Sequence, residues 1–234
     1  MGILCIVSTP IGNLGDVTLR ALETLRTADV ILCEDTRQTK KLLDRHAVLG
    51  KKLVPYNAKR SGAQVTQIAN WITEGKHLAL VSDAGTPGIS DPGVALVAAL
   101  RLQFSEEALS IVPIPGASAL ITALSASGFP TDTFLFLGFL PHKKGRETLL
   151  REAVQSLRTV VFYESTHRLL KALAALAKLA PERNGMVARE LTKIHEEFRA
   201  GTFAELHAHY LAHPEKVRGE CVVLLAPVRK GRSV

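Results

Sequence analysis

Short apolar runs alternate with segments of helical periodicity through the first half of the chain. Runs at residues 3–7, 30–33, 77–81 and 111–114 are rich in aliphatic and β-branched side chains, which is typical of buried strands. Between them, apolar residues recur every three or four positions, as they do over residues 17–28. This alternation of strand and helix predicts a largely parallel sheet with helices packed on its faces.

A second pattern of the same kind begins after Gly128-Phe129-Pro130, where the periodicity is interrupted. Strand patterns follow at residues 134–139, 159–163, 185–189 and 220–226, and helical patterns at 148–157, 165–180 and 202–211. We therefore predict an α/β protein of two domains, residues 1–128 and residues 129–234.

Three segments rich in Gly, Pro, Ser, Thr and Asp follow predicted strands, at residues 8–15, 82–93 and 115–118. Ligands of open parallel sheets bind beyond the carboxyl ends of the strands, so these loops are expected to converge there. The segment 82–93 holds three glycines, two prolines and two aspartates in twelve residues, which is more than a plain connection needs. Each segment also has a structural interpretation: a tight turn, Asx turns at Asp83 and Asp91, or a helix cap at Ser118.

Charge and cysteine content narrow the function class. The 29 Lys and Arg against 22 Asp and Glu give a formal charge of +7, which favours polyanionic partners such as RNA, DNA or anionic lipid. The alternative is a soluble protein that is basic without such a partner. Cys5, Cys33 and Cys221 are isolated in apolar runs, which predicts buried thiols, a reducing compartment and no metal site.

No apolar run approaches the roughly 18 residues of a membrane span, and the N-terminus resembles a strand more than a signal peptide, so we expect a cytoplasmic protein.

Six long motifs stand in one order along nearly the whole chain: TPIGNLGD at 9–16, EDTR at 34–37, LVSDAGTPGISDPG at 80–93, GFLP at 138–141, YESTHR at 163–168 and ARELTKIHEE at 188–197. Together they resemble the tetrapyrrole methylase superfamily, and within it most closely the small-subunit rRNA ribose methyltransferases. Ala117 and Thr166 depart from that pattern, which has Pro at both positions. Members of that family often carry a further C-terminal segment.

The resemblance implies two α/β domains of the tetrapyrrole methylase type with the cofactor cleft between them. It implies methyl transfer from S-adenosylmethionine to the ribose 2′-hydroxyl of a cytidine in 16S rRNA, near the decoding site of the small ribosomal subunit. A homodimer without metal is expected. Two other functions remain open: an S-adenosylmethionine-dependent methylase of a tetrapyrrole or corrin, and a non-catalytic RNA-binding module.

The same resemblance implies the site residues. The cofactor-binding set is Pro10, Gly12, Asp83, Ala84, Gly85, Thr86, Ser118 and Ala119. A ribose hydroxyl is a poor nucleophile, so a general base or strong positioning of the hydroxyl is expected, and the candidate bases are Glu34, Asp35 and Glu164. Each of the three could instead pair with a neighbouring arginine. The expected RNA-binding residues are Asn13, which could orient the hydroxyl, and Arg37, Lys143, Lys144, Arg146, Arg168, Arg189 and Lys193.

Overall fold

The computed structural model describes residues 1–56 and 61–228. Its first part is a five-stranded sheet in the order β3-β2-β4-β1-β5, in which all neighbours run parallel. The strands are β1 (Gly2–Val7), β2 (Val30–Cys33), β3 (Lys52–Pro55), β4 (His77–Val81) and β5 (Leu109–Ile114). The helices are α1 (Leu19–Thr27), α2 (Thr36–Arg45), α3 (Ser61–Thr73) and α4 (Gly93–Gln103). The parallel α/β arrangement expected from the apolar pattern is confirmed.

Both faces of this sheet are buried, as a parallel sheet requires. Alternate residues of β2 point to opposite sides: Ile31 and Cys33 pack with α1 and α2, whereas Val30 and Leu32 pack with α3 and α4. Trp71 closes the second of these clusters. The apolar run of β2 therefore lacks a polar face because neither side of the strand meets water.

The second part is a mixed sheet in the order β6-β7-β10-β8-β9. Only the β6–β7 pair is parallel, and the other neighbours run antiparallel. Its strands are β6 (Phe134–Phe139), β7 (Thr159–Ser165), β8 (Asn184–Arg189), β9 (Glu197–Thr202) and β10 (Glu220–Leu225). Its helices are α5 (Ala119–Ser125), α6 (Arg146–Ala153), α7 (Thr166–Leu179) and α8 (Phe203–Ala212).

The core of this second part lies between one sheet face and helices α6, α7 and α8. Phe162 of β7 and Val223 of β10 are fully buried there, together with Phe203 and Tyr210 of α8. The opposite face of the sheet receives α5, whose Leu120 N–H donates to the Tyr163 hydroxyl over 3.1 Å.

Contacts divide the chain into two compact units, Met1–Ser118 and Ala119–Val234. The division falls before α5, whereas the sequence pattern suggests a boundary after it, near Gly128. The physical reason is the packing of α5 on β10 and Tyr163, which draws this helix into the second unit. No helix within the described residues combines the length and apolarity needed to cross a bilayer.

Candidate functional site

The three loops predicted to converge do meet at the carboxyl edge of the first sheet. β1 lies between β4 and β5, so the loops that leave these three parallel strands emerge side by side. Thr9 and Gly85 exchange two backbone hydrogen bonds, over 2.9 and 3.0 Å. The Thr9 hydroxyl also donates to the Ser82 carbonyl at 3.0 Å. The loop after β1 is thereby joined to the loop after β4.

Thr86 joins the third loop to the other two. Its hydroxyl accepts from Ser8 Oγ at 3.0 Å and donates to the Ala117 carbonyl at 3.2 Å. Gly116 is required beside it, because a Cβ on that residue would lie 2.9 Å from Ser8 Cβ. Ser8 is not among the site residues predicted from the sequence, although its position directly after an apolar strand is a signal for it.

The predicted cofactor residues divide into a buried and an accessible set. Pro10 and Gly85 are buried, whereas Thr86, Ser118 and Ala119 are half-buried. Gly12, Asp83 and Ala84 are exposed. Buried members such as Gly85, whose φ is +82°, shape the loops, and the exposed members are the ones that a ligand can contact.

A group of three carboxylates lies at this edge, where β2 and β4 end. Asp83 Oδ1 accepts the Asp35 N–H at 3.0 Å, and Glu34 Oε1 accepts the Asp83 N–H over 3.4 Å. Asp91 Oδ1 accepts the N–H groups of Gly88 and Gly93 at 2.9 and 2.7 Å. Asp91 therefore makes the Asx-type contacts that were one of its two interpretations.

Glu34 has an unusual protonation equilibrium. The residue is accessible to solvent, yet its carboxyl group is partly desolvated. This burial, followed by the hydrogen bond and the negative charge of Asp91, raises the pKa of Glu34 to about 7. Glu34 can therefore take up or release a proton near neutral pH.

Asp35 is in the opposite situation. It caps α2 by accepting the Arg37 N–H at 2.8 Å, and it forms an ion pair with the Arg37 guanidinium at 2.6 Å. The hydrogen bond from the Arg37 side chain is the main reason why the pKa of Asp35 falls to about 2. A carboxylate that holds no proton near neutral pH is a weak base, so these contacts favour the ion-pair interpretation of Asp35.

Glu164, at the end of β7, is a fully buried carboxylate between two arginines. Arg146 donates to one of its oxygens at 2.7 Å, while Arg168 and the Ser165 N–H donate to the other at 2.8 and 2.9 Å. Arg168 also donates to the Leu140 carbonyl at 2.9 Å. The cluster therefore fixes the turn that follows β6, which favours a structural role for Glu164.

Two further predicted cations are held by acids of the second unit. Arg189 pairs with Glu197 at 3.3 Å. Lys193 pairs with Glu190 and Glu220 at 2.9 and 3.0 Å.

Three polar candidates are exposed. Asn13 accepts the Gly15 N–H through its side chain at 3.0 Å. Lys143 and Lys144 take part in none of the ion pairs found within residues 1–56 and 61–228. Their ammonium groups are therefore available to a polyanion.

The chain is similar to known methyltransferases over almost its whole length. Residues 4–207 match the family model described as Tetrapyrrole (Corrin/Porphyrin) Methylases. A protein from Synechocystis sp. named Ribosomal RNA small subunit methyltransferase I is 47% identical over 97% of this chain and 79% of its own length. The protein of the same name from Thermotoga maritima is 43% identical over 97% of this chain and 99% of its own length.

Solved structures share the fold at lower identity. The methyltransferase CobJ superposes with a TM-score of 0.69 at 22% identity, covering 97% of this chain and 95% of its own. Uroporphyrin-III C-methyltransferase from Thermus thermophilus, complexed with S-adenosylhomocysteine, gives a TM-score of 0.64 at 18% identity and covers 97% of each chain.

Replacing Glu164 with Gln tests its structural role. Gln keeps the shape but leaves two largely buried guanidiniums without a counter-charge, so we expect a loss of stability on the order of 3 kcal/mol. Differential scanning calorimetry should show a lower Tm. Glu147→Gln is the matched control, because its ion pair with Arg151 is exposed to solvent and its loss should leave the Tm almost unchanged. Equal Tm values for the two variants would contradict the interpretation.

Proposed function

The chain belongs to the tetrapyrrole methylases and, within them, to the ribosomal RNA small subunit methyltransferase I family, and we propose that it methylates a cytidine ribose of 16S rRNA. S-adenosylmethionine is the methyl donor, and the acceptor is the 2′-hydroxyl of a nucleotide near the decoding site. The observation that carries this proposal is the 43% identity to the Thermotoga protein over nearly the full length of both chains.

The residues at the carboxyl edge of the first sheet fit this cofactor. Asp83 and Glu34 present carboxylate oxygens there, and Asp83 is accessible beside the small side chain of Ala84. Such acceptors suit a ligand that carries an ammonium group, a sulfonium centre and ribose hydroxyls. The hydrogen bonds of Thr9 and Thr86 fix the loops in advance, which lowers the entropic cost of binding.

When bound, S-adenosylmethionine supplies a methyl carbon that an oxygen nucleophile attacks in line with the departing sulfur. Much of the acceleration then comes from holding the two reactants in that geometry. The hydroxyl must lose its proton as the new bond forms, and we assign that proton to a carboxylate oxygen of Glu34. Glu34 suits this task because its pKa of about 7 matches the working pH of a cytoplasmic enzyme.

Lys143 and Lys144 are assigned to the phosphates of the RNA, because they are exposed and form no ion pair with the described part of the chain. Arg146 and Arg168 hold the turn that carries these lysines through their ion pairs with Glu164, whereas Arg189 and Lys193 are paired with acids of the second unit. Action on a tetrapyrrole is not proposed, since CobJ and the uroporphyrin-III C-methyltransferase are 22% and 18% identical to this chain and support the fold alone. The homodimer and the cytoplasmic location stay predictions.

Transfer of tritium-labelled methyl groups to undermethylated small ribosomal subunits tests the proposal directly. After nuclease digestion, we expect the label in 2′-O-methylcytidine. Binding of S-adenosylmethionine should be confirmed separately by calorimetry. A protein that binds the cofactor but labels a precorrin and no rRNA would refute the proposal.

Replacing Glu34 with Gln tests the general base. We expect kcat to fall roughly 10²- to 10⁴-fold, because the proton acceptor is lost while the volume is kept. In the unchanged protein, kcat/KM should rise with pH through about 7 as Glu34 ionises, and activity should be lost below that value. Glu23→Gln on α1 is the control and should keep the normal profile. An unaltered profile in Glu34→Gln would assign the base elsewhere.

The phosphate contacts are tested by the double variant Lys143→Ala, Lys144→Ala. Each lost contact should make the slope of log affinity against log salt shallower by about 0.7 for single-stranded RNA. The affinity for S-adenosylmethionine should not change. The double variant Lys171→Ala, Lys178→Ala removes the same charge from exposed positions of α7 and is the control. If the salt dependence of RNA binding has the same slope in both double variants, Lys143 and Lys144 do not contact phosphates.

A further inference from the structure

A bulge in β6 changes the face of the sheet on which Phe139 lies. Phe136 is opposite Val161 of β7, but the register then shifts, and Phe139 is opposite Tyr163. In an unbroken register, residue 138 would face Tyr163, and Phe139 would point to the core side. Gly138, with φ at +61°, supplies the left-handed conformation at the shift. The bulge thus moves a large aromatic ring to the side of the sheet away from the core.

The ring of Phe139 is held in place although it is exposed. The rings of Phe139 and Tyr163 make an edge-type aromatic contact, with 5.4 Å between the ring centroids and 61° between the ring planes. Tyr163 is itself fixed by Phe136, at 4.9 Å, and by the Leu120 N–H at its hydroxyl. Phe139 nevertheless remains 54% exposed, more than any other phenylalanine among the exposed hydrophobic residues of the described chain. A fixed, exposed aromatic ring loses little entropy when a flat partner covers it.

Positive charge follows directly in the sequence. Lys143 and Lys144 stand four and five residues after Phe139, in a turn closed by the Arg146 N–H to the Lys143 carbonyl over 3.4 Å. The turn begins at Leu140 and Pro141, whose carbonyls accept from Arg168 at 2.9 Å and Arg146 at 3.5 Å. Both arginines are tied to the buried Glu164. Aromatic ring and ammonium groups therefore belong to one anchored segment.

We propose that Phe139 is a stacking platform for an unpaired base of the RNA substrate, with Lys143 and Lys144 on phosphates of the same strand. Single-stranded RNA is bound by this combination of exposed aromatic rings and nearby cations, because every base has a flat face. This inference rests on the proposed function, and it adds a specific surface of the second unit to it.

The test compares Phe139→Leu with Phe139→Tyr. Leu keeps an apolar side chain but has no flat ring, whereas Tyr keeps the ring. Phe198→Leu is the matched control, since Phe198 is 37% exposed on β9, at the other edge of the same sheet. The probes are a short single-stranded RNA in a fluorescence anisotropy titration and undermethylated small subunits in the methyl-transfer assay.

We expect Phe139→Leu to weaken RNA binding about fivefold or more and to raise KM for the subunits, with S-adenosylmethionine affinity unchanged. The salt dependence of binding should keep its slope, because no charge is lost. Phe139→Tyr and Phe198→Leu should behave like the unchanged protein. Recovery in the Tyr variant also excludes a folding defect as the cause.

Two results would overturn the platform while leaving the proposed function intact. In the first, the Phe139→Leu variant methylates the subunits and binds RNA as well as the control variant Phe198→Leu does. In the second, light scattering gives the Phe139→Leu variant a different molecular mass in solution from the unchanged protein. This surface would then be a contact between copies of the chain. If the unchanged protein labels no small-subunit RNA, the proposed function fails, and the platform fails with it.

Discussion

The parallel pairing of β1 with both β4 and β5 is the constraint on which the site depends. Parallel neighbours end at the same edge of a sheet, so the loops after these strands must share one small space. Polar groups buried in that space need partners, and the loops provide them for one another through Thr9 and Thr86. The rigidity of the edge is thus a consequence of strand order and of hydrogen-bond satisfaction together.

Much of this could be predicted from the sequence, because buried strands and Gly-rich loops leave a local signature. Two of the edge strands, β3 and β9, leave none: β3 is four residues ending at Pro55, and half of β9 is exposed. Neither of these two strands has a buried residue, so hydrophobic alternation does not mark them. For Glu164, the sequence suggests the pairing with Arg168 four residues later, but not the pairing with Arg146, which lies on another element and which only the fold brings within 2.7 Å.

The three candidate bases, Glu34, Asp35 and Glu164, all carry a carboxyl group, but their different surroundings give them different roles. Glu164 is surrounded by two guanidiniums and a backbone donor, so its charge is fully used within the protein. Asp35 is committed to Arg37 and to the first turn of α2. Sequence proximity to arginine suggested pairing for all three, but Glu34 pairs with no arginine among the described residues.

Glu34 differs because its neighbours are acids. Asp91 is nearby, with one oxygen occupied by the N–H groups of Gly88 and Gly93, and Asp83 directs its own carboxylate to Asp35. Among the described residues, the backbone donor to Glu34 is the Asp83 N–H, and at 3.4 Å it gives the ionised form little support. Burial of the carboxyl group is the largest cause of the raised pKa of Glu34, and the hydrogen bond and charge of Asp91 come next. The residue that shapes the loop around Gly88 thus also makes Glu34 a better proton acceptor.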